Sequence, residues 1–198
     1  MTLRDAGETI GLFEPLMVSE GSPKRAELND LALELAARSA AFQASLPASI
    51  ADALAGLIRS MNCYYSNLIE GHNTHPVDIE RAMNDDYSTD PEKRDLQLEA
   101  KAHIAVQKWI DEGGVHGPAT TPNTILDLHR RFCELLPPDL LFVEHPTTGE
   151  RLPVIPGAIR DHDVEIGRHV AVSPGAVHRF LTRLDEAYAR AGRIDSIL

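Results

Sequence analysis

Between residues 47 and 70 the apolar side chains Ile50, Leu54, Leu57, Ile58, Met61, Tyr65 and Leu68 recur at spacings of three, four and seven. That repeat makes one face of an amphipathic helix, and a face so apolar needs other helices to cover it. Pro47 stands where a first helical residue belongs, and Gly71 where the left-handed residue that closes a helix belongs. The expectation is a helical protein packed around this segment. Glu70 falls in its last turn, where the carbonyl end of the helix disfavours a carboxylate by about 0.3–1 kcal/mol at an exposed position. A local rule broken in this way marks a candidate functional site, with a solvated glutamate as the bland alternative. Ser66 lies one turn earlier on the same face, so a hydroxyl and a carboxylate are presented together.

The 198 residues suffice for one sizeable core, or for a small helical region docked on a second one. Acidic residues outnumber basic ones, 30 to 19, for a formal charge of −11. No Lys/Arg cluster interrupts this, which argues against a general nucleic-acid binder. Cys63 and Cys133 both sit inside apolar helical patterns and are read as buried free thiols of a reducing cytoplasm. Residues 1–20 carry Asp5, Glu8, Glu14 and Glu20 with no long apolar run, unlike a signal peptide. No apolar stretch approaches 20 residues, so no membrane span is expected. A cytoplasmic location is the default.

Gly and Pro interrupt residues 1–22, which read as an extended arm. Ser22-Pro23 opens a helix carried by Leu28, Leu31, Leu35 and Phe42 to about residue 44. After the 47–70 helix, a shorter one begins near Pro76 with Val77, Ile79, Ala82 and Met83, and Thr74 reads as its cap. Ser88-Thr89-Asp90-Pro91 is a helix entry, followed by Leu96, Leu98, Ala102, Ile104, Ala105, Trp109 and Ile110 up to Gly113-Gly114. Thr121-Pro122 opens the next helix, which Pro137-Pro138 stops; His129 within it reads as a satisfied packing residue. Another helix runs from about Pro174 to Arg190.

One region has strand character. Phe142 and Val143 extend briefly, and residues 152–160 lead through the polar Asp161-His162-Asp163 into residues 164–170, the pattern of a hairpin with its tip at 161–163. Glu99 and His103, one turn apart on a helix, have no third metal ligand in the pattern and read as a solvated or paired face. Dinucleotide, Walker and Gly-x-Ser-x-Gly motifs are absent from the sequence.

The spacing Ser66-x-x-x-Glu70-Gly71, followed by His72-Asn73-Thr74 and Asp78, resembles the inhibitory helix of Fic-domain proteins, which mostly transfer AMP from ATP to protein hydroxyls. The Leu128-His129 pair resembles one in the core of that family. Pro-Gly-x-Ile-Arg at 156–160, Val-x-Ile-Gly at 164–167 and a helix begun by Ser173-Pro174 resemble its flap. The resemblance runs from about residue 60 onward. It implies a mainly α, incomplete Fic-like bundle with a small β-hairpin: an N-terminal helical regulatory region over 1–90, then the first part of the catalytic domain over 91–198. Glu70 would be the inhibitory glutamate, set against the second Arg of the catalytic loop, with Ser66 supporting it and Gly71 ending the motif. Gly157, Ile159, Arg160, Val164 and Ile166 would hold a target protein by strand pairing.

The loop that performs catalysis in that family, His-x-Phe-x-Asp/Glu-Gly-Asn-Gly-Arg, supplies a general base, a Mg²⁺ ligand and a phosphate cradle. The sequence does not contain it. Residues 145–151 begin with His-Pro and end in Arg, but lack the Phe, the acid and the Gly-Asn-Gly turn. No catalytic residue and no metal ligand is therefore assigned, and ATP with Mg²⁺ belongs to the complete family enzyme. Arg193-Ile194-Asp195-Ser196-Ile197-Leu198 reads as the first turn of a further amphipathic helix. Three expectations follow: a shortened chain, an interrupted gene, or a fragment acting as a non-catalytic binding module. Unpaired apolar faces also imply self-association.

Overall fold

The computed structural model describes residues 3–13, 17–72, 74–145, 148–166, 168–189, 192, 194, 195 and 197. The described residues are mainly helical: α1 (Arg25–Ser45), α2 (Ala48–Ile69), α3 (Pro76–Met83), α4 (Pro91–Asp111), α5 (Pro122–Glu134) and α6 (Val177–Tyr188). Four short strands, β1 (Phe142–Glu144), β2 (Arg151–Pro153), β3 (Glu165–Ile166) and β4 (His169–Val170), form two two-stranded antiparallel sheets. Two compact units emerge, one of Met1–Ala53, Thr120–Pro122 and Asp161–Leu198, the other of Leu54–Ala119 and Asn123–Arg160.

The second unit holds the main apolar core. Cys63 of α2, Ile79 of α3, and Ala100 and Ile104 of α4 are buried together, with Tyr64 packed against them. Helix α4 starts as its sequence dictates: Pro91 occupies the first turn and the Asp90 carboxylate accepts the Glu92 amide at 3.1 Å. It ends at Gly113, whose φ of +81° is open to glycine, with the Gly114 amide donating to the Trp109 carbonyl. Buried Gln97 stitches α4 to the segment before it. Its Oε1 accepts the Ser88 amide at 2.7 Å and its amide donates to the Asp78 carbonyl at 3.0 Å. The two cysteines are free and buried.

The packing of α2 and the pairing of the strands differ from expectation. The apolar stripe of α2 is not the side that packs: Ile50, Leu57, Ile58, Tyr65 and Leu68 are exposed, and Cys63 is the one buried residue of the helix. The side facing α4 is partly polar, with Arg59 donating to Asp111 at 2.8 Å and Asn62 to Gln107 at 3.3 Å. Hydropathy spacing gives no weight to such pairs. Nor does residue 152–160 pair with 164–170. β2 pairs with β1, Phe142 opposite Pro153 and Glu144 opposite Arg151, while β3 pairs with β4, Glu165 opposite Val170. The physical reason lies at Pro153 and at Pro156-Gly157, which end the first arm: proline lacks a ladder donor, and Gly157 turns the chain at φ +74°.

The first unit is held by its N-terminal arm. Arg4 and Glu8 grip the residues before α6: the Gly175 amide donates to the Arg4 carbonyl at 2.8 Å, and the Ser173 amide and hydroxyl donate to the Glu8 carboxylate at 2.7 and 2.8 Å. Arg179 reaches back to the Asp5 carboxylate and to the Glu8 carbonyl. Phe13 meets Phe180 edge to face. A short 3-10 turn, Pro174–Ala176, precedes α6, which therefore begins three residues later than its proline indicates. Of α1 only Ala32 is buried; Leu31, Leu35 and Phe42, the face expected to pack, are exposed. Leu33 and several alanines spread apolar surface around this helix, so it presents no single stripe to bury. Residues 194, 195 and 197 lie in turns; Arg193, Ser196 and Leu198 of the expected last helix are outside the described residues.

Candidate functional site

Helix α2 closes with a left-handed glycine, as its sequence indicates. The Glu70 amide donates to the Ser66 carbonyl at 3.2 Å, the Gly71 amide to the Leu68 carbonyl at 3.1 Å and the His72 amide to the Asn67 carbonyl at 2.8 Å. Gly71 has φ +82° and nothing within 4 Å of where a Cβ would stand, so backbone conformation and not crowding selects glycine there. The Ser66 and Glu70 side chains, one turn apart, are both exposed, and neither has a hydrogen-bond partner among the described residues. The helix end thus presents a hydroxyl and a carboxylate to solvent.

The segment after the helix is tied down from behind. Thr74 is buried and its hydroxyl accepts the Asn67 side-chain amide at 3.3 Å. It is therefore not the cap of α3; His75 occupies that position, with no side-chain capping bond. Asn73 lies outside the described residues. Asp78, in the first turn of α3, faces Arg81 at 4.0 Å.

Glu99 of α4 lies near this helix end. Burial raises its carboxyl, opposed by the charge of His72 and reinforced by that of Asp95. Burial also pushes the Cys63 thiol up to about 11, with Glu99 adding to the effect, and lowers His103. Among the described residues no group of three or more His, Cys, Asp or Glu is placed to hold a metal ion. The link from Glu99 to His72 is tertiary, and no helical spacing signals it.

The residues expected to hold a target are divided. Gly157, half-buried Ile159 and Arg160 belong to one compact unit, and Val164 and Ile166 to the other. Gly157 rests on α5: its amide donates to His129 Nδ1 at 3.0 Å, and a Cβ there would stand 2.9 Å from Arg130 Cβ. Accepting at Nδ1 assigns the ring proton to Nε2, which faces Cys133 Sγ at 3.4 Å. His129 has both ring nitrogens engaged, as a packing histidine should. Ile166 enters β3 opposite His169 through its backbone, and Val164 accepts the Ala171 amide at 3.0 Å. Gly167 of the same motif, like Pro146 and Thr147 of the 145–151 stretch, is outside the described residues.

One further concavity went unmarked by sequence pattern. A cavity of about 350 Å³ is lined by Trp109, Gly114, His116, Asn123, Asp127 and Arg131, among others. The Arg131 guanidinium sits 3.9 Å from the centre of the Trp109 ring and donates to Asp127 at 3.0 Å, which with Arg130 holds the Asp127 carboxyl below its usual range. A Cβ on Gly114 would stand 2.1 Å from the indole, so only glycine lets the chain pass so close to the ring.

Among the described residues no helix is long and apolar enough to cross a membrane. The chain matches no known family model, no curated protein and no solved structure.

Proposed function

We propose that the chain is the N-terminal, regulatory and target-holding part of a cytoplasmic Fic-type protein adenylyltransferase, with α2 as its inhibitory helix. The observation that supports this reading is the end of α2, where Ser66 and Glu70 stand exposed one turn apart, on a helix closed by Gly71. A carboxylate not engaged by a neighbour is available to an arginine brought from elsewhere. In this reading Glu70 takes the second arginine of the catalytic loop and so keeps the γ-phosphate of ATP out of the productive pose. Ser66 supports it. The general base, the Mg²⁺ ligand and the phosphate cradle come from a loop that these residues do not contain, so the chain alone transfers nothing and binds ATP and Mg²⁺ weakly. Val164 and Ile166 then offer a strand edge to the target protein, with Gly157, Ile159 and Arg160 preceding them.

The test begins with the coding DNA downstream of the Leu198 codon, read in three frames for the His-x-Phe-x-Asp/Glu-Gly-Asn-Gly-Arg stretch. In the protein that carries it, Glu70→Gly is expected to raise label transfer from ATP to protein. Equal incorporation by both forms removes Glu70 from the inhibitory role. Absence of the stretch favours the second reading, a non-catalytic binding module, for which the exposed Leu31, Leu33, Leu35 and Phe42 of α1 speak.

A further inference from the structure

Residues 3–9 form neither helix nor strand and, apart from half-buried Glu8, are exposed. A segment of that kind has no fold of its own and keeps its place only through what it touches. It meets the entry to α6 as a bound peptide would. The Gly175 amide donates to the Arg4 carbonyl at 2.8 Å, and the Ala6 amide donates to the Ser173 hydroxyl at 2.9 Å. Ser173 is 1% exposed, and its own amide and hydroxyl both donate to the Glu8 carboxylate.

Two residues on the receiving side are fitted to this occupant. A Cβ on Gly175 would stand 2.9 Å from the Arg4 carbonyl oxygen and 3.0 Å from Asp5 Cβ, so glycine is what lets the segment lie so close. Arg179, in the first turn of α6, takes the Asp5 carboxylate with both terminal nitrogens and the Glu8 carbonyl with Nε at 3.1 Å. A two-pronged arginine–carboxylate contact fixes geometry as well as charge. What is read is an extended backbone with carboxylates at Asp5 and Glu8, while Ala6 between them is met through its amide. Phe13 adds an apolar anchor against Phe180.

We propose that residues 173–180 are a recognition site for an extended acidic peptide of the pattern Asp-x-x-Glu, which the chain's own arm fills in cis and which the same peptide fills in trans. Recognition rests on backbone amides, one hydroxyl and one arginine, and none of these needs the arm to be joined to the rest of the chain. The partner it fits is an exposed segment with two carboxylates at that spacing. The covalent join supplies effective concentration, so a free peptide meets a strong competitor in the natural chain. The site belongs to the compact unit that does not contain Ser66 and Glu70, and it stands or falls independently of the role given to α2.

The probe is a fluorescently labelled peptide of residues 3–13, followed by anisotropy against the full chain. Asp5→Ala together with Glu8→Ala weakens the arm and leaves residues 173–180 untouched. That chain is expected to bind the peptide about tenfold more tightly than the natural chain does, or better. Replacing the same two acids in the peptide should weaken binding about tenfold or more. Adding Gly175→Ala to the weakened chain should abolish it, because the new methyl stands against the Arg4 carbonyl. Circular-dichroism melting shows which variants fold. Should the double variant not fold, Glu8→Gln alone loosens the arm with its shape kept, and it too should bind the peptide more tightly than the natural chain. The proposal is overturned if the peptide binds no folded form, if natural and weakened chains bind it equally, or if binding is indifferent to its two acids or to Gly175→Ala.

Discussion

Helices α1 and α4 are both 21 residues long, yet they meet opposite fates. Helix α4 buries Gln97, Ala100, Ala102 and Ile104 and begins at a side-chain cap; α1 buries Ala32 alone and begins at Lys24 without a capping bond. Leucine and alanine are abundant in α1, so local propensity is not what it lacks. What α4 has in addition is an apolar side to which α2 and α3 contribute Cys63 and Ile79. Forming a helix and burying one are separate achievements, and only the second contributes strongly to the stability of a unit.

The sharpest way to break this contrast is to open the core around α4. Ile79 is 1% exposed, and Ile79→Ala is expected to destabilise by about 2–5 kcal/mol, the lost transfer energy plus an unfilled cavity. Urea unfolding measures it; a loss below about 1 kcal/mol would mean that the cluster is not a core. Next in size is Gln97→Ala, which strands the Ser88 amide and removes a donor from the Asp78 carbonyl. A cost of about 1–3 kcal/mol is expected in the same assay, and a neutral result would show that water replaces the side chain. Asp90→Ala removes the acceptor of the Glu92 amide at the start of α4 and should cost about 1 kcal/mol.

The contrast also explains what could be read ahead of the structure. Entry prolines at Pro76, Pro91 and Pro122 and closing glycines at Gly71 and Gly113 act within a few residues, and each helix end they mark is present. Burial depends on partners far away in sequence, and there the pattern of large apolar residues pointed to the wrong side of α2. Cys63 and Asn62, neither strongly apolar nor regularly spaced, face α4 instead. The strand region failed in the same way: alternation at residues 152–170 was legible, while the partner of β2 lies before it, at Phe142–Glu144. At the candidate site, Gly71 and the exposed pair of Ser66 and Glu70 followed from helical spacing. The approach of Glu99 to His72 did not, since 27 residues separate them.

The unit containing α1 depends on polar contacts of its arm, and that makes a different signature in pH. Hydrogen bonds from the Ser173 amide and hydroxyl hold the Glu8 carboxyl below its ordinary value, and the bond from Arg179 does the same for Asp5. A carboxyl whose folded value is depressed adds stability that is complete above its unfolded value and is lost as pH falls through the folded one. The window therefore opens below about pH 4.5, the ordinary glutamate value. Melting temperature followed from pH 6 downward should fall less steeply for Glu8→Gln than for the natural chain. Parallel curves would mean that the arm contributes no pH-dependent stability through Glu8.

The smallest expected effect is the most exacting for the comparison. Leu33 lies in the middle of α1 and is 56% exposed, so its side chain gives up little water on folding. Leu33→Ser replaces a large apolar residue with a polar one of somewhat lower helix propensity, and the change in unfolding free energy should stay within about 0.5 kcal/mol. At Ile104, 5% exposed in α4, the same replacement should cost several-fold more, because a hydroxyl would enter the cluster of Cys63, Ile79 and Ala100 together with a cavity. If urea unfolding finds the two substitutions equally costly, α1 is buried in solution by something that covers Leu33. The difference between these helices would then lie in their partners and not in their sequences.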